Sequence, residues 1–79
     1  MTSANKQKVY EIIIQKIQTE ITAGILEAGE KLPPERELAV KYGVSRTSIR
    51  EALRLLELSD FVEIRPGDGT FIKTNEQQN

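Results

Sequence analysis

The sequence predicts an α+β domain made of three helices, a short strand and a C-terminal two-stranded hairpin. Up to residue 56, apolar residues recur at steps of three and four, which is typical of helices with one buried face. From residue 61 onward they alternate with polar residues, which is typical of strands. Because the chain has 79 residues, we expect one domain with a single core.

The first predicted helix is defined by an apolar stripe. Its members are Val9, Tyr10, Ile13, Ile14, Ile17 and Ile21. Gly24 is placed to end this helix in a left-handed conformation. We expect residues 1–5, which are small and polar, to form a flexible N-terminus, and the folded domain to span residues 6–73. Lys31 and Leu32 are expected to form a very short extended segment.

Two further helices are predicted on either side of a tight turn at Gly43. Pro34 suits the first turn of the second helix, because the N–H that it lacks would have no partner there. Ser45 is a good N-cap for the third helix. The expected inner face of the second helix consists of Leu38, Ala39 and Tyr42. The expected buried stripe of the third consists of Ile49, Ala52, Leu53 and Leu56.

The segment "FVEIRPGDGTFIK" predicts two strands around a "PGDG" turn. In its first half, Val62 and Ile64 alternate with Glu63 and Arg65. The last segment, residues 74–79, is polar, and we expect it to be a tail or the start of a linker to an effector domain that is absent from this chain.

Composition excludes several kinds of chemistry. The chain contains neither cysteine nor histidine, so disulfides, the usual zinc ligands and thiol nucleophiles are missing. Glu35 and Glu37 are two residues apart and do not share a helical face, so they do not form a paired-carboxylate site. We therefore expect no enzyme, no cofactor and no metal.

No apolar run approaches membrane-spanning length, and "MTSANKQK" lacks a signal-peptide core. We expect a cytoplasmic protein with no membrane partner. The formal net charge is −1, so bulk attraction to nucleic acid is absent. Any binding of an anion must come from a local arrangement of charges.

One such arrangement is a row of arginines in "VSRTSIREALRLLE". Arg46, Arg50 and Arg54 are spaced by four residues, with no acid between them on that face of the helix, so they repel one another weakly. Two helices joined by a glycine-containing turn are typical of a helix-turn-helix, whose second helix can enter the DNA major groove. The guanidinium group of an arginine can donate two hydrogen bonds side by side, like a fork, and this geometry matches the O6 and N7 acceptors of guanine. We expect DNA to relieve the repulsion, with Arg46, Thr47 and Arg50 at the groove and the hairpin as a wing.

Other interpretations of the same residues exist. The row can be a solvated helix face, with Arg54 paired to Glu51 or Glu57 at three-residue spacing. Arg36 can pair with a neighbouring glutamate instead of DNA. A winged helix can also be a protein-interaction module without DNA readout, but the third helix should then expose apolar residues, whereas here it exposes arginine and threonine.

The blocks "EKLPPERELAVKYGVSRTSIREALRLLE" and "RPGDGTFI" resemble the DNA-binding domain of GntR-type bacterial transcription regulators. Within that family, the sequence motifs most resemble those of the FadR-like branch. The resemblance covers about residues 8–73. It implies a winged helix-turn-helix that binds double-stranded DNA sequence-specifically, as part of a regulator that we expect to be a repressor. It also implies homodimers on short inverted repeats, although we expect this chain to be a monomer when free.

The resemblance also implies which residues contact DNA. Those of the helices are Arg36, Ser45, Arg46, Thr47, Ser48 and Arg50. Those of the wing tip are Pro66, Gly67 and Gly69. Arg36 and Arg46 are the expected guanine readers, and Arg50 is expected to contact a base or a phosphate.

This chain differs from the family pattern at three positions. Pro34 stands where a helix-capping serine is common, Asp60 where glycine is common, and Asp68 where a basic wing residue is common. Aspartate tolerates a left-handed turn, so we expect the backbone at Asp60 to be unchanged. An acid near phosphates is unfavourable, so we expect a wing that binds more weakly.

Overall fold

The computed structural model describes residues 8–73. The elements follow the predicted order: α1 (Val9–Thr22), α2 (Glu35–Tyr42), α3 (Arg46–Leu58), β1 (Val62–Arg65) and β2 (Gly69–Ile72). The prediction of three helices and a two-stranded wing is therefore confirmed. The predicted flexible N-terminus, residues 1–5, and the polar tail, residues 74–79, lie outside the described residues.

One apolar core joins all five elements, and α3 lies at its centre, in contact with α1, α2 and β1. The predicted stripes of the three helices point inward except at Val9, which is 44% exposed at the start of α1 because no other element covers it. Tyr10, Ile14 and Tyr42 are half-buried at the edge of the core. The buried residues are Ile13, Ile17, Ile21, Leu32, Leu38, Ala39, Ile49, Ala52, Leu53, Leu56, Val62 and Ile72. Within residues 8–73 no polar or charged side chain is buried, so the core is held by apolar contacts.

The turn between α2 and α3 fixes how these helices meet. Gly43 ends α2 with φ +69°, a left-handed conformation that glycine adopts without a Cβ clash. The N–H of Val44 then donates to the carbonyl of Ala39 (3.0 Å). Ser45 is the N-cap of α3, as predicted, because its Oγ accepts from the N–H of Ser48 at 3.0 Å.

The start of α2 differs from the prediction. Pro34 is the N-cap residue rather than part of the first turn, with φ −62° and ψ 159°. Its carbonyl accepts the N–H of Leu38 at 3.0 Å, but no side chain caps the helix at this position, since proline offers no hydroxyl. At Asp60, a second departure from the family pattern, φ is +68°, so the expected left-handed turn is present.

The wing is an antiparallel hairpin in which Val62 pairs with Ile72 and Arg65 with Gly69. Gly69 belongs to β2, so the connection is shorter than the predicted "PGDG" turn. Within it the N–H of Asp68 donates to the carbonyl of Arg65 (2.9 Å). Gly67 has φ +81° and follows Pro66, the residue order and backbone that a type II turn requires.

A third segment widens the wing along β2. Lys31 forms an isolated antiparallel bridge with Phe71, which confirms the predicted short extended segment. The N–H of Leu32 donates to the carbonyl of Thr70 (2.8 Å), and that of Ile72 donates to the carbonyl of Glu30 (2.8 Å). These bonds attach the wing to the segment that leads into α2.

Replacing Leu56 by alanine is expected to lower the free energy of unfolding by about 2–5 kcal/mol, because a cavity would open at the centre of the core. The matched control is Leu58→Ala on the same helix, where the side chain is 76% exposed. The control is expected to change the free energy of unfolding by less than about 0.5 kcal/mol. Urea unfolding followed by circular dichroism measures both, and equal effects would contradict the packing of α3.

Candidate nucleic-acid interface

The first two turns of α3 present polar side chains to solvent. Arg46, Thr47 and Arg50 are exposed, whereas Ile49 between them is fully buried. Packing of Ile49 thus fixes the rotation of the helix about its axis and directs the other three outward. The structure brings the predicted groove-facing residues together on one surface.

The expectation that DNA relieves the repulsion within the arginine row is wrong for Arg46 and Arg50, which already share a carboxylate. Glu35, the first residue of α2, lies against α3 and accepts two hydrogen bonds from Arg50: Nη2 to Oε1 at 2.9 Å and Nε to Oε2 at 3.0 Å. Arg46 donates its Nε–H to the same Oε1 at 3.4 Å. A carboxylate from another helix therefore relieves the repulsion, which inspection of α3 alone could not show.

These bonds shift the protonation equilibria of the pair. The hydrogen bond from Arg50 holds the pKa of Glu35 below its ordinary value of 4.5, against a smaller opposing effect of desolvation. Conversely, the hydrogen bond to Glu35 raises the pKa of Arg50. Both groups are consequently charged at neutral pH, and the ion pair is intact there.

Two serines among the expected contacts are already engaged within the protein. Ser45 uses its Oγ as the cap of α3, and it also donates to the Oγ of Ser48 at 3.1 Å. Ser45 is exposed and Ser48 is half-buried. Their hydroxyls therefore hold the start of α3 in place beside Thr47.

The pairings considered for Arg36 and Arg54 are not found. Both side chains are exposed, and within the described part of the chain neither forms a salt bridge. Glu57, one candidate partner of Arg54, instead accepts the backbone N–H of Ile64 at 3.0 Å and thereby joins α3 to the wing. Both arginines remain available to an external anion.

The wing places Gly67 at its exposed tip and Gly69 inside the sheet. Open space surrounds Gly67, so a backbone or a groove can approach it closely. A Cβ at Gly69 would lie 2.6 Å from the Cε of Lys31. The absence of a side chain at Gly69 therefore allows the lysine stem to cross the sheet.

Sequence reasoning missed two cations on the wing. The guanidinium of Arg65 lies 4.3 Å from the centre of the Phe71 ring, and the Nζ of Lys31 lies 6.0 Å from the same centre. Strand alternation puts Arg65 and Phe71 on the face opposite Val62, so this pair could have been found. Lys31 could not, because its position depends on pairing with a strand 40 residues later.

A cleft of about 730 Å³ separates α3 from the wing. Basic groups from both walls line it, namely Lys31, Arg50, Arg54 and Arg65, together with the acids Glu35, Glu57 and Asp68. Its floor is apolar, formed by Leu53 and Ile64 among others. Such a concave surface with basic walls can bind a negatively charged chain between α3 and the wing.

Residues 8–73 contain no group of acids placed to hold a metal ion. Nor is any helix among them long and apolar enough to cross a membrane. The three-helix core, the glycine turn before α3 and the hairpin after it define the domain as a winged helix-turn-helix. In this class the second helix of the pair is the one that enters the major groove.

Comparison with known proteins identifies the family. The profile described as "Bacterial regulatory proteins, gntR family" matches residues 9–72, and the chain belongs to this family. Its curated relatives include the Uxu operon regulator of Haemophilus influenzae, with 43% identity over 82% of this chain. They also include the Exu regulon transcriptional regulator of Escherichia coli, with 34% identity over 96% of this chain. The chain spans 24% and 30% of their lengths.

Solved structures share the fold. A GntR family transcriptional regulator from Listeria monocytogenes superposes with a TM-score of 0.86 at 34% identity, over 94% of this chain and 65% of that one. The crystal structure described as AraR(DBD) in complex with operator ORX1 gives 0.80 at 32% identity, over 84% of this chain and 80% of that one. Family and relatives are regulators rather than enzymes, as the sequence predicts.

Acid is expected to weaken the contribution of Glu35 to stability. Because its pKa is lower in the folded state, the carboxylate stabilises the fold above its ordinary pKa of 4.5, and this effect is lost as the pH falls through the folded value. The melting temperature of the wild type should exceed that of Glu35→Gln at about pH 7 and approach it at about pH 3. Thermal unfolding across this range measures the difference. A constant difference would show that the ion pair does not stabilise the fold.

Proposed function

We propose that this chain binds double-stranded DNA sequence-specifically, as the DNA-binding domain of a bacterial transcription regulator. The observation that carries the proposal is the exposed row of Arg46, Thr47 and Arg50 at the start of α3, on a fold shared with a domain solved on its operator. Arginine forks and a hydroxyl suit guanine edges and phosphates. The proposed site can therefore both read bases and bind the phosphates that position the protein on DNA.

In this proposal α3 lies in the major groove with Arg46 and Arg50 towards the bases. Arg36, exposed at the start of α2, reads a further guanine. The tip of the wing, with Gly67, approaches the adjacent groove. Lys31 and Arg65, both held near the Phe71 ring, bind phosphates and offset the unfavourable charge of Asp68.

The alternative, a protein-interaction module, is less well supported. Such a module needs apolar side chains on the outer face of α3, and the exposed residues there are charged or hydroxylated except Leu58, the last residue of the helix. The most exposed large apolar side chains in residues 8–73 are Val40, Leu58 and Ile25, which belong to three different segments. They do not include the N-terminal residues of α3.

Replacing Arg46 or Arg50 by alanine is expected to weaken specific binding by about 5- to 150-fold, because each loses a forked contact to a base. The probe is a duplex selected by the wild-type chain from a random-sequence pool, with affinity measured by fluorescence anisotropy at one fixed salt concentration.

Arg54→Ala is the matched control, because Arg54 continues the same row one turn further from the start of α3. The control should lose less affinity than either variant. Wild-type affinity in both Arg46→Ala and Arg50→Ala, with melting curves showing folded protein, would refute the assignment of the recognition helix.

The proposed partner site is a short inverted repeat bound by two copies of the chain. A two-fold arrangement of recognition helices matches the symmetry of such a site. The largest exposed apolar residues are scattered over the described part of the chain, which favours a monomer in the absence of DNA. The proposal further includes repression as the sign of regulation and the cytoplasm as the location; assignment to the FadR-like branch remains a prediction.

Sedimentation is expected to give a monomer for the free chain at micromolar concentration and two chains on a full inverted repeat. A single half-site should take up one chain and bind more weakly, because the second chain then adds no contacts. Sedimentation velocity with the free chain, the half-site and the full site measures this. A stable dimer without DNA would contradict the expectation and reveal an interface within these 79 residues.

A further inference from the structure

We propose that Glu35 determines DNA specificity by positioning Arg46 and Arg50. Its carboxylate fixes which N–H groups of the two arginines face the DNA, and it cancels part of their charge. This inference rests on the proposed function, and it gives a role to an acid within a surface that binds a polyanion. An acid in such a place weakens non-specific attraction, so its presence needs a compensating gain.

The geometry of Arg50 shows how the fork is oriented. A guanidinium has five N–H donors. The Nε–H and one Nη2–H of Arg50 form one edge of the group, and both donate to Glu35, at 3.0 Å and 2.9 Å. Of the three remaining donors, one on Nη1 and one on Nη2 form the outer edge of the group, at the end of the side chain. Since O6 and N7 of guanine need two adjacent donors, this end is the part of Arg50 left to read a base.

Arg46 is held in the same way but more loosely. Only its Nε–H donates to Glu35, at 3.4 Å, so all four N–H groups of its two Nη atoms remain free of this acid. Oε1 of Glu35 accepts from both arginines. One carboxylate therefore sets the direction of two forks that stand one helical turn apart.

The position of Glu35 allows this role. It is the first residue of α2, where a negative charge is favoured by the helix dipole. Its side chain is 26% exposed, whereas those of Arg46 and Arg50 are 59% and 53% exposed. The acid thus lies beneath the guanidinium groups, and the ends of the arginines project beyond it towards solvent.

Charge adds a second effect to the orientation. Two guanidinium groups and one carboxylate carry a net charge of about +1, because the pKa of Glu35 lies below its ordinary value. Non-specific affinity depends on the cationic charge brought to phosphates. Base readout depends instead on the direction of the donors. Glu35 therefore lowers non-specific binding while preserving specific binding, and the ratio of the two affinities increases.

The test compares affinities for two duplexes, the selected sequence and a scrambled sequence of equal composition, over a series of salt concentrations. The variants are Glu35→Gln, which keeps one acceptor oxygen and loses the charge, and Glu35→Ala, which loses both. Glu37→Gln is the matched control. It removes the same charge from the same helix, at an exposed residue outside the ion pair.

The specificity ratio is the affinity for the selected duplex divided by that for the scrambled duplex. In Glu35→Ala this ratio is expected to fall by about three- to tenfold, because an arginine side chain must then be ordered on binding DNA rather than beforehand. Glu35→Gln should show a smaller fall. In both variants, binding to the scrambled duplex should strengthen, and its salt slope should steepen by up to about 0.9. Glu37→Gln should keep the wild-type ratio.

The other outcomes separate this inference from the proposed function. If both Glu35 variants keep the wild-type ratio while Arg50→Ala loses specific binding, the inference is overturned and the proposed function stands. If the two affinities fall in parallel, Glu35 acts on folding alone, which also overturns the inference. If the wild type binds both duplexes equally, the proposed function itself fails.

Discussion

Burial of one face of α3 is the constraint on which the rest of the structure depends. Ile49, Ala52 and Leu56 have no exposed surface and belong to the core in which α3 contacts α1, α2 and β1. Because the helix can be rotated in only one way that buries these three, its opposite face is fixed as well. The polar face of the first two turns, with Arg46 and Arg50, is therefore a consequence of apolar packing, and truncation of this core would disturb the interface together with the fold.

Most of the fold could be predicted from the sequence because it depends on local signals. Apolar spacing located the buried stripes, and Gly43 and Ser45 marked the end of α2 and the start of α3 through backbone and capping preferences. Asp60 adopts the left-handed backbone that its residue type permits. The role of Pro34 is misplaced by one residue, because proline is compatible with both positions at a helix start. The hairpin turn is predicted one residue too long, because Gly69 is already paired as part of β2.

The electrostatics of the candidate site could not be predicted in the same way. Periodicity shows which residues share a face of one helix, but Glu35 and Arg50 belong to different helices and are 15 residues apart. Their contact depends on how α2 crosses α3. The same holds for Lys31, whose place beside Phe71 follows from strand pairing across most of the domain. A surface that resembles a bare row of positive charges in sequence is, in three dimensions, an ion-pair network with directed donors.

The central claim is that the start of α3 and the tip of the wing form the DNA-binding surface. Titration of the isotope-labelled chain with the selected duplex, followed by amide chemical shifts, tests it most directly. We expect the largest shift changes at residues 45–50 and 66–69, with little change along the exposed side of α1 (Val9–Thr22). Large changes confined to α1, with residues 45–50 unaffected, would contradict it.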